Sequence, residues 1–497
     1  MIGLNVKQRP KAVVIGAGFG GLAAAIRLSV KGYDVQVYDK LEEPGGRASV
    51  FRQDGHTFDA GPTIITAPFL LKELWQLCGR RFEDDVQLVA MDPFYRIRFD
   101  DGSHFDYNGD AEHMRAEVAR FAPEDLAGYE RFLRLCEKCK KLGFEGMGDK
   151  PFDRLSDLLA AIPDFLRMGA WRSIYAQVAR HFSSEHLRTV MSFHPLLIGG
   201  NPFSVTAAYA LINALERTWG VHSAMGGTGS IVTGLVGLLR ERRVGLHMNA
   251  PVARIVIENG RAQGIELADG RVERADIVVS NGDTAWTYKN LVDAQHRRHW
   301  SDARIERGRY SMGLLVWYFG TRRQYVDVPH HMLVLGPRYK GLLQDIFKKH
   351  VLADDFSLYL HRPTATDPSL APAGCDTFYA LAPVPHLDSG TDWGTQAEIM
   401  RHAIEKRLEE TVLPGLSGQI RSSLMMTPQD FHDRLWSYKG AGFGLEPLLL
   451  QSAWFRPHNR SEDVPGLYMV GAGTHPGAGV PGVLMSAKAL EKVVPHV

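Results

Sequence analysis

Residues 11–40 read KAVVIGAGFGGLAAAIRLSVKGYDVQVYDK and carry the strongest structural signal in the chain. The apolar run Ala12–Ile15 is typical of a strand buried on both faces. Glycines spaced G-x-G-x-x-G follow over Gly16–Gly21, and a second strand pattern, Asp34–Tyr38, ends at the acidic Asp39. This order predicts a β-α-β unit that holds a dinucleotide.

Each position in this unit has a physical reason. Gly16 permits a tight turn, Gly18 lets a pyrophosphate approach the backbone, and Gly21 lets the helix pack on the strand. The helix N-terminus presents free N–H groups and a partial positive charge to the phosphates. Asp39 is placed to accept hydrogen bonds from both ribose hydroxyls and to repel a 2′-phosphate. The alternative is a glycine-rich turn with a purely structural role.

Composition bounds the class of protein. A chain of 497 residues can bury a large core and is expected to form two or three domains. Its 57 basic and 56 acidic residues make nucleic acid an unexpected partner. Four cysteines indicate a reducing compartment, and Cys136 and Cys139 are interpreted as ordinary helix residues rather than a metal or redox pair. Neither a signal peptide nor an apolar run long enough to span a bilayer is predicted.

Three further motifs extend the nucleotide site. Pro44–Ala48 (PGGRA) suits a loop near the phosphates or a flavin ring, with Arg47 as the cationic partner. Phe58–Thr63 (FDAGPT) fixes a backbone bend; either motif alone would predict only a turn. Gly466–Val483 repeats the pattern of strand, glycine turn and helix start, and the following helix, Leu484–Val493, is expected to direct its N-terminus at the pyrimidine edge of a flavin. This last motif requires the fold to bring both ends of the sequence together.

Together these motifs resemble the FAD-binding half of the amine oxidase and carotene desaturase superfamily, which changes the predicted cofactor from NAD to FAD. In that superfamily the equivalent of Val252 meets the adenine through its backbone. The cofactor-binding residues that this implies are Gly16, Ala17, Gly18, Gly20, Gly21, Asp39, Lys40, Gly46, Arg47, Ala48, Gly61, Pro62, Thr63, Val252, Gly471, Gly473, Val480 and Pro481.

The rest of the chain is interpreted as insertions into this domain. We predict an α/β fold: a discontinuous Rossmann-like FAD-binding domain (residues 1–80, 225–295 and 456–497) with an inserted substrate-binding sheet domain (81–110 and 296–455) and a helical, membrane-facing subdomain (111–224). Strand patterns at Gly313–Phe319, Phe356–His361 and Phe378–Pro383 are expected to floor a substrate cavity. Residues expected to add apolar lining, unless they serve core packing, are Met425, Met426, Phe431, Leu435 and Trp436.

Three stretches leave alternatives open. The apolar and basic residues of 165–182 suit either docking on an anionic bilayer or packing on the protein's own core, and the second is favoured slightly. Ser192–Phe203 is expected to line a pocket, with His194 as a loop histidine rather than a catalyst. Gly226–Ser230 precedes a helical pattern, Ile231–Leu239, where a second anion site is conceivable.

At the level of whole motifs the chain resembles the bacterial phytoene desaturases. The stretches that carry this resemblance are GAGFGGL, PGGRA, DAGPT, LLIGGNPF, APVPHL, QSAWFRPHNR and VGAGTHPGAGVPGV. The resemblance implies a flavoprotein that introduces double bonds into 15-cis-phytoene and later carotene intermediates, giving neurosporene, lycopene or a longer polyene. It further implies a cytoplasmic protein held peripherally on the inner membrane, with a quinone or oxygen as electron acceptor.

Such a reaction needs hydride loss from an allylic carbon to flavin N5 and proton loss from the neighbouring carbon. Asp157 and His475 are the candidate catalytic bases, whereas Arg154 is assigned to charge balance. No catalytic triad or metal-spaced cluster is predicted. At about 0.8 kcal/mol per buried CH₂, a C40 hydrocarbon hardly leaves a bilayer, so a lipid surface is an expected partner.

Two other interpretations remain. One is a flavin enzyme with a different hydrophobic substrate: a carotene isomerase, a carotenoid oxygenase or a protoporphyrinogen oxidase. The other is a flavin-free prenyl-lipid-binding protein of the same fold, which the complete glycine motifs and Asp39 disfavour.

Overall fold

Strand β1 (Lys11–Ile15) lies at the centre of a five-stranded parallel sheet in the computed structural model, which describes residues 9–497. The other strands are, in chain order, β2 (Asp34–Tyr38), β3 (Val50–Gln53), β4 (His56–Asp59), β5 (Leu88–Ala90), β6 (Tyr95–Arg98), β7 (His104–Tyr107), β8 (His222–Ala224), β9 (Gly245–His247), β10 (Val252–Glu258), β11 (Arg261–Leu267), β12 (Val272–Arg274), β13 (Ile277–Ser280), β14 (Gly313–Thr321), β15 (His331–Val334), β16 (Leu358–His361), β17 (Asp376–Val384), β18 (Ile420–Met426) and β19 (Leu467–Met469).

Helices lie between groups of these strands, and short 3-10 and π segments join the elements. The α-helices are α1 (Phe19–Lys31), α2 (Phe69–Leu77), α3 (Ala111–Phe121), α4 (Leu126–Cys139), α5 (Leu155–Met168), α6 (Ile174–Val178), α7 (Glu185–Ser192), α8 (Leu211–Trp219), α9 (Thr228–Glu241), α10 (Thr284–Trp286), α11 (Asp302–Arg307), α12 (Tyr339–Gln344), α13 (Trp393–Thr411), α14 (Pro428–Leu435) and α15 (Val480–Val493).

The five-stranded sheet joins three distant parts of the chain, in the order β19-β13-β1-β2-β9. Ala12 is paired with Val35 on one side and with Ile277 on the other, and all these contacts are parallel. Helices α1, α9 and α15 cover one face, where Leu22, Leu235 and Leu484 belong to one buried cluster. A sheet covered in this way needs apolar residues on both faces, which explains the continuous apolar run of β1.

A seven-stranded sheet forms the second layer, in the order β18-β14-β17-β16-β15-β6-β7. Its long strand β14, second from one edge, is buried along its whole length. Alternate residues separate the two faces: Leu314 and Val316 line a cavity, whereas Leu315 and Trp317 join a core that α13 covers with residues such as Ile404. The predicted sheet floor of a cavity is therefore present.

Residues 111–224 are mainly helical, as expected, and contain α3 to α8. Their own core is aromatic, with Tyr129, Phe132 and Phe182 fully buried. The segment also contributes one strand, β8, which pairs with β5. Over residues 9–497, no helix combines the length and the apolar composition needed to cross a bilayer.

Two predicted helix boundaries were wrong. The last helix was expected from Leu484 but begins at Val480, because Pro481 occupies the first turn, where a missing N–H costs nothing. Helix α9 extends beyond the predicted Ile231–Leu239 in both directions, from Thr228 to Glu241. In both cases the extra turn places a helix N-terminus directly after a glycine loop.

Candidate functional site

One large cavity, of about 540 Å³, is lined by residues from near both ends of the sequence. Gly18 in the first glycine turn and Pro481 in the last helix both line it. Its other walls come from the seven-stranded sheet and from the helical segment 111–224. The cavity thus combines a glycine-rich backbone region with an apolar chamber.

The first glycine turn has the features of a phosphate cradle. Gly16 has φ +96°, a conformation that favours glycine, and a Cβ at Gly21 would lie 1.9 Å from the carbonyl oxygen of Gly16. Helix α1 begins after Gly18 with no side chain capping its N-terminal N–H groups. These free donors beside Gly18 and Gly20, which line the cavity, suit an anionic ligand.

The Asp39 carboxylate lies in the cavity wall, one residue beyond β2. Its oxygens accept hydrogen bonds from the backbone N–H groups of Ala17 (2.7 Å) and Leu41 (2.8 Å). Burial raises the pKa of Asp39, and these two hydrogen bonds oppose that shift. Each carboxylate oxygen has a further lone pair, so the group can also accept from ligand hydroxyls.

Arg47 lies on the loop that packs against the glycine turn, where Gly45 donates to the carbonyl of Ala17 at 2.9 Å. One guanidinium nitrogen donates to Ser437 Oγ at 2.9 Å, while Nε has no partner. Loss of hydration lowers the pKa of Arg47, and the Asp283 carboxylate opposes this effect. An arginine with an unused donor in a cavity wall is suited to hold a polar part of a ligand.

Helix α15 supplies a second uncapped N-terminus at the same cavity. It follows Gly479, no side chain caps it, and both Val480 and Pro481 line the cavity. The free N–H groups of α1 and α15 therefore face one space, each adding a partial positive charge.

Most of the predicted cofactor residues line this cavity, and four do not. Those that line it are Gly16, Gly18, Gly20, Asp39, Lys40, Gly46, Arg47, Ala48, Gly61, Pro62, Thr63, Val252, Val480 and Pro481. Ala17, Gly21, Gly471 and Gly473 lie behind the wall. A Cβ at Gly471 or Gly473 would come within 2.5 Å of Asn281 or Thr284, so these glycines allow close packing of loops.

The two candidate bases are placed differently. Asp157 caps helix α5, accepting from the backbone N–H of Arg154 at 3.3 Å, and is absent from the cavity wall. His475 lines the cavity, and its Nε2 lies 2.9 Å from the carbonyl of Met147. Burial lowers the pKa of His475 to about 4, so Nε2 donates to that carbonyl and Nδ1 keeps a free lone pair. The position of Asp157 does not support a catalytic role.

Glu216, another ionisable group in the cavity wall, was not predicted. Its side chain is almost fully buried, and Oε1 accepts from the Tyr95 hydroxyl at 2.7 Å. Oε2 lies 3.2 Å from His194 Nε2 without the alignment of a hydrogen bond. A signal existed in the sequence, because Glu216 occupies the apolar stripe of α8 with Ile212 and Trp219.

The apolar part of the wall is largely as predicted. Ser192–Phe203 contributes Phe193, Leu196, Leu197 and Ile198 to the lining. Four of the five residues named from the second insertion, Met426, Phe431, Leu435 and Trp436, also line it. Met425 faces the opposite side of the sheet and packs in the core that α13 covers.

The conceivable anion site at Gly226–Ser230 is filled by the protein itself. Asp59 Oδ1 accepts from the backbone N–H of Thr228 at 2.9 Å, and Asp367 Oδ2 accepts from Gly226 at 2.7 Å. Two carboxylates thus take the donors that an external anion would need. The prediction of no metal-spaced cluster also missed a group that the fold assembles from His330, His331 and His361.

Asp59 makes stability depend on pH. Burial raises the pKa of Asp59 to about 7, above its value of about 3.9 in an unfolded chain. Between these values the unfolded chain releases a proton that the folded protein retains, so stability falls as pH rises through this window. We expect Asp59→Asn, which keeps the acceptor for Thr228, to remove that fall and to be more stable than wild type at pH 8. Denaturant unfolding at pH 5 and pH 8 measures this; equal pH slopes for both proteins would contradict it.

Comparison with known proteins gives a consistent result. The family described as flavin containing amine oxidoreductase matches residues 19–489. The chain is 51% identical over 490 residues to the neurosporene-forming phytoene desaturase of Cereibacter sphaeroides, covering 98% of this chain and 94% of that protein. It is 48% identical over 480 residues to the lycopene-forming phytoene desaturase of Pseudescherichia vulneris, covering 96% of this chain and 98% of that protein.

Among solved structures, an oxidoreductase from Methanosarcina mazei matches with a TM-score of 0.67 at 20% identity, covering 97% of this chain and 100% of that chain. Identity at this level shows the fold alone, a mixed α/β architecture of the expected kind. The sequence relatives show more than the fold, since they are 51% and 48% identical along nearly the whole chain. The chain belongs to the flavin containing amine oxidoreductase family, in the group formed by the phytoene desaturases.

Proposed function

We propose that this protein is an FAD-dependent phytoene desaturase that converts phytoene into neurosporene or lycopene. The observation that carries the proposal is the single cavity in which two uncapped helix N-termini, Asp39 and Arg47 meet a chamber walled by apolar side chains. The first part suits a dinucleotide and the second suits a long hydrocarbon.

The residues present fit FAD. The uncapped N-terminus of α1 would bind the pyrophosphate, Asp39 would accept from the ribose hydroxyls, and the backbone of Val252 would meet the adenine. The N-terminus of α15 and the free Nε of Arg47 would face the more polar edges of the flavin. We propose the division into an FAD domain, a substrate domain and a helical subdomain on the same grounds.

When bound, FAD supplies the acceptor for a hydride from an allylic carbon of the substrate. The protein's own part is to hold the chain in place, exclude water and take a proton from the adjacent carbon. We propose that Glu216, which lines the cavity, takes this proton: the C–H bond breaks, its electron pair becomes the new C=C bond, and the proton passes to the carboxylate. His194 Nε2, 3.2 Å from Oε2, is placed to receive it next.

The substrate would enter the cavity from a lipid surface, at the side of the protein that α5 covers. Leu155, Leu159, Ile162 and Leu166 of this helix are 42–58% exposed, a large outward fraction for leucine and isoleucine. Phe165 in the same helix lines the cavity, so one helix separates the outer apolar surface from the inner chamber. We infer that this face rests on the membrane, and that a quinone in the membrane or oxygen accepts the electrons.

A membrane-binding prediction follows from α5. Replacing Leu159 and Leu166 by Glu should weaken binding to phytoene-free liposomes roughly tenfold or more, because burying each leucine contributes about 1.5–3 kcal/mol. Cosedimentation measures the bound fraction. Val326→Glu is the matched control, since Val326 is also exposed, at 74%, but lies on a different segment. Equal loss in the control, or none in the α5 variant, would remove the proposed docking face.

Incubation of the FAD-loaded protein with phytoene liposomes, followed by chromatography of the products, tests the function. We expect neurosporene or lycopene, with absorption bands of longer conjugated polyenes. A product of unchanged conjugation would instead support a carotene isomerase. Purified protein without flavin that still holds a prenyl lipid would support a binding protein.

A further inference from the structure

Three buried histidines lie together beside the cavity, at one end of strands β15 and β16 of the seven-stranded sheet. His331 begins β15 and is paired across the sheet with His361 at the end of β16, while His330 immediately precedes β15. The exposed fractions of these side chains are 6% or less. One ring nitrogen from each lies within 4.8 Å of the others.

We propose that His330, His331 and His361 bind a transition-metal ion, with zinc as the reference ion. The Nε2 atoms of His330 and His361 are 3.0 Å apart. Tetrahedral zinc with Zn–N bonds of about 2.0–2.1 Å places its ligand nitrogens about 3.3 Å apart, which is close to this separation. The His331 nitrogen, within 4.8 Å of the other two, would have to move closer. Neutral imidazole is a ligand that zinc and copper both accept.

Two of the three outer ring nitrogens already have the partners that metal-binding histidines usually have, and His361 Nδ1 has none among the described residues. His330 Nδ1 is 2.6 Å from Thr366 Oγ1, and His331 Nδ1 is 2.6 Å from the Tyr359 hydroxyl. Such hydrogen bonds fix the ring orientation and leave Nε2 for the ion.

A hydrogen bond between His330 and His361 accounts for two of the rings without an ion. It does not account for His331, whose Nε2 is fully buried and has no partner among the described residues. Buried polar atoms of this kind are rare in folded proteins. Binding of an ion would engage this nitrogen. Arg362, which follows His361 in the chain, is paired with Asp376 at 2.9 Å.

The site would also order the cavity wall. An ion on His331 Nε2 leaves the proton on Nδ1, which then donates to the Tyr359 oxygen. The Tyr359 hydroxyl in turn donates to Thr63 Oγ1, 3.1 Å away. Both Tyr359 and Thr63 line the cavity. The ion would therefore fix which atom donates in each of these hydrogen bonds at the proposed cofactor site.

Metal analysis of the FAD-loaded protein, prepared without a polyhistidine tag, tests the proposal. After treatment with a chelator and dialysis against zinc, we expect about one zinc ion per chain in wild type. His330→Gln and His361→Gln should each retain none. His56→Gln is the matched control, because His56 is another buried histidine bonded to a threonine, through Nδ1 to Thr377 at 3.0 Å, outside the cluster.

Wild type that retains no zinc, or cluster variants that retain as much as wild type, would overturn the proposal. The same holds if His56→Gln loses the ion. Should the cluster variants fail to fold, X-ray absorption of the wild-type zinc complex decides. A shell of three imidazole nitrogens supports the site, and sulfur or all-oxygen ligation refutes it.

Discussion

Replacing Glu216 by Gln is expected to slow desaturation by about a hundredfold or more, the usual contribution of a general base. Glutamine keeps the shape of the side chain and an acceptor for the Tyr95 hydroxyl, so the wall should remain intact. It cannot take the proton that the substrate releases beside the new double bond. Asp157→Asn should have little effect on the rate, because Asp157 lies outside the cavity wall.

Product chromatography with FAD-loaded enzyme and phytoene liposomes measures this rate. Glu446→Gln is a matched control, since Glu446 is an equally buried glutamate, paired with Arg309 and away from the cavity. A base role predicts a lower kcat at an unchanged KM and unchanged flavin content, with partial recovery in Glu216→Asp. An unchanged kcat in Glu216→Gln would contradict a base role for Glu216. The base would then be His475, or the reaction would need no protein base.

Asp39→Ala is expected to weaken FAD binding by roughly tenfold or more. Hydrogen bonds to a charged group contribute about 1.5–3 kcal/mol each, and the carboxylate would make such bonds to the ribose. The substitution also removes the acceptor that orders Ala17 and Leu41 around the glycine turn. Both the lost ribose hydrogen bonds and the less ordered glycine turn should weaken the binding of FAD.

Titration of the apoprotein with FAD, followed by flavin fluorescence, gives the dissociation constant. Asp34→Ala serves as control, because Asp34 begins the same strand, β2, but does not line the cavity. Unchanged affinity in Asp39→Ala would remove the ribose assignment. It would leave the roles of the helix N-termini untouched.

The nucleotide half of the molecule could be predicted because its determinants are local. Gly16, Gly18 and Gly21 follow from backbone geometry over a few residues, and both the turn and the close packing are present in the structure. The same motifs predicted that the first and last glycine turns would meet, and residues of both line one cavity. Each of these signals lies within one β-α-β or β-turn-α unit.

Residues that act through distant partners could not be predicted in this way. The proposed role of Glu216 depends on its contacts with Tyr95 and His194, which belong to other elements of the chain. Asp157 lies outside the cavity wall, and position along the chain does not show which face of α5 meets the cavity. His361 likewise joins His330 and His331 only through the register of β15 and β16.

The central position of β1 has a consequence for how the protein is made. Ala12 needs Ile277 as its neighbour, and β19, near the end of the chain, completes that edge of the sheet. At roughly 5–20 residues per second of translation, the first strand waits roughly 13–53 s for this partner. During that time β1 can pair only with β2, on its other side. We therefore expect the edge of β1 that pairs with β13 to stay open during synthesis until Ile277 has been translated.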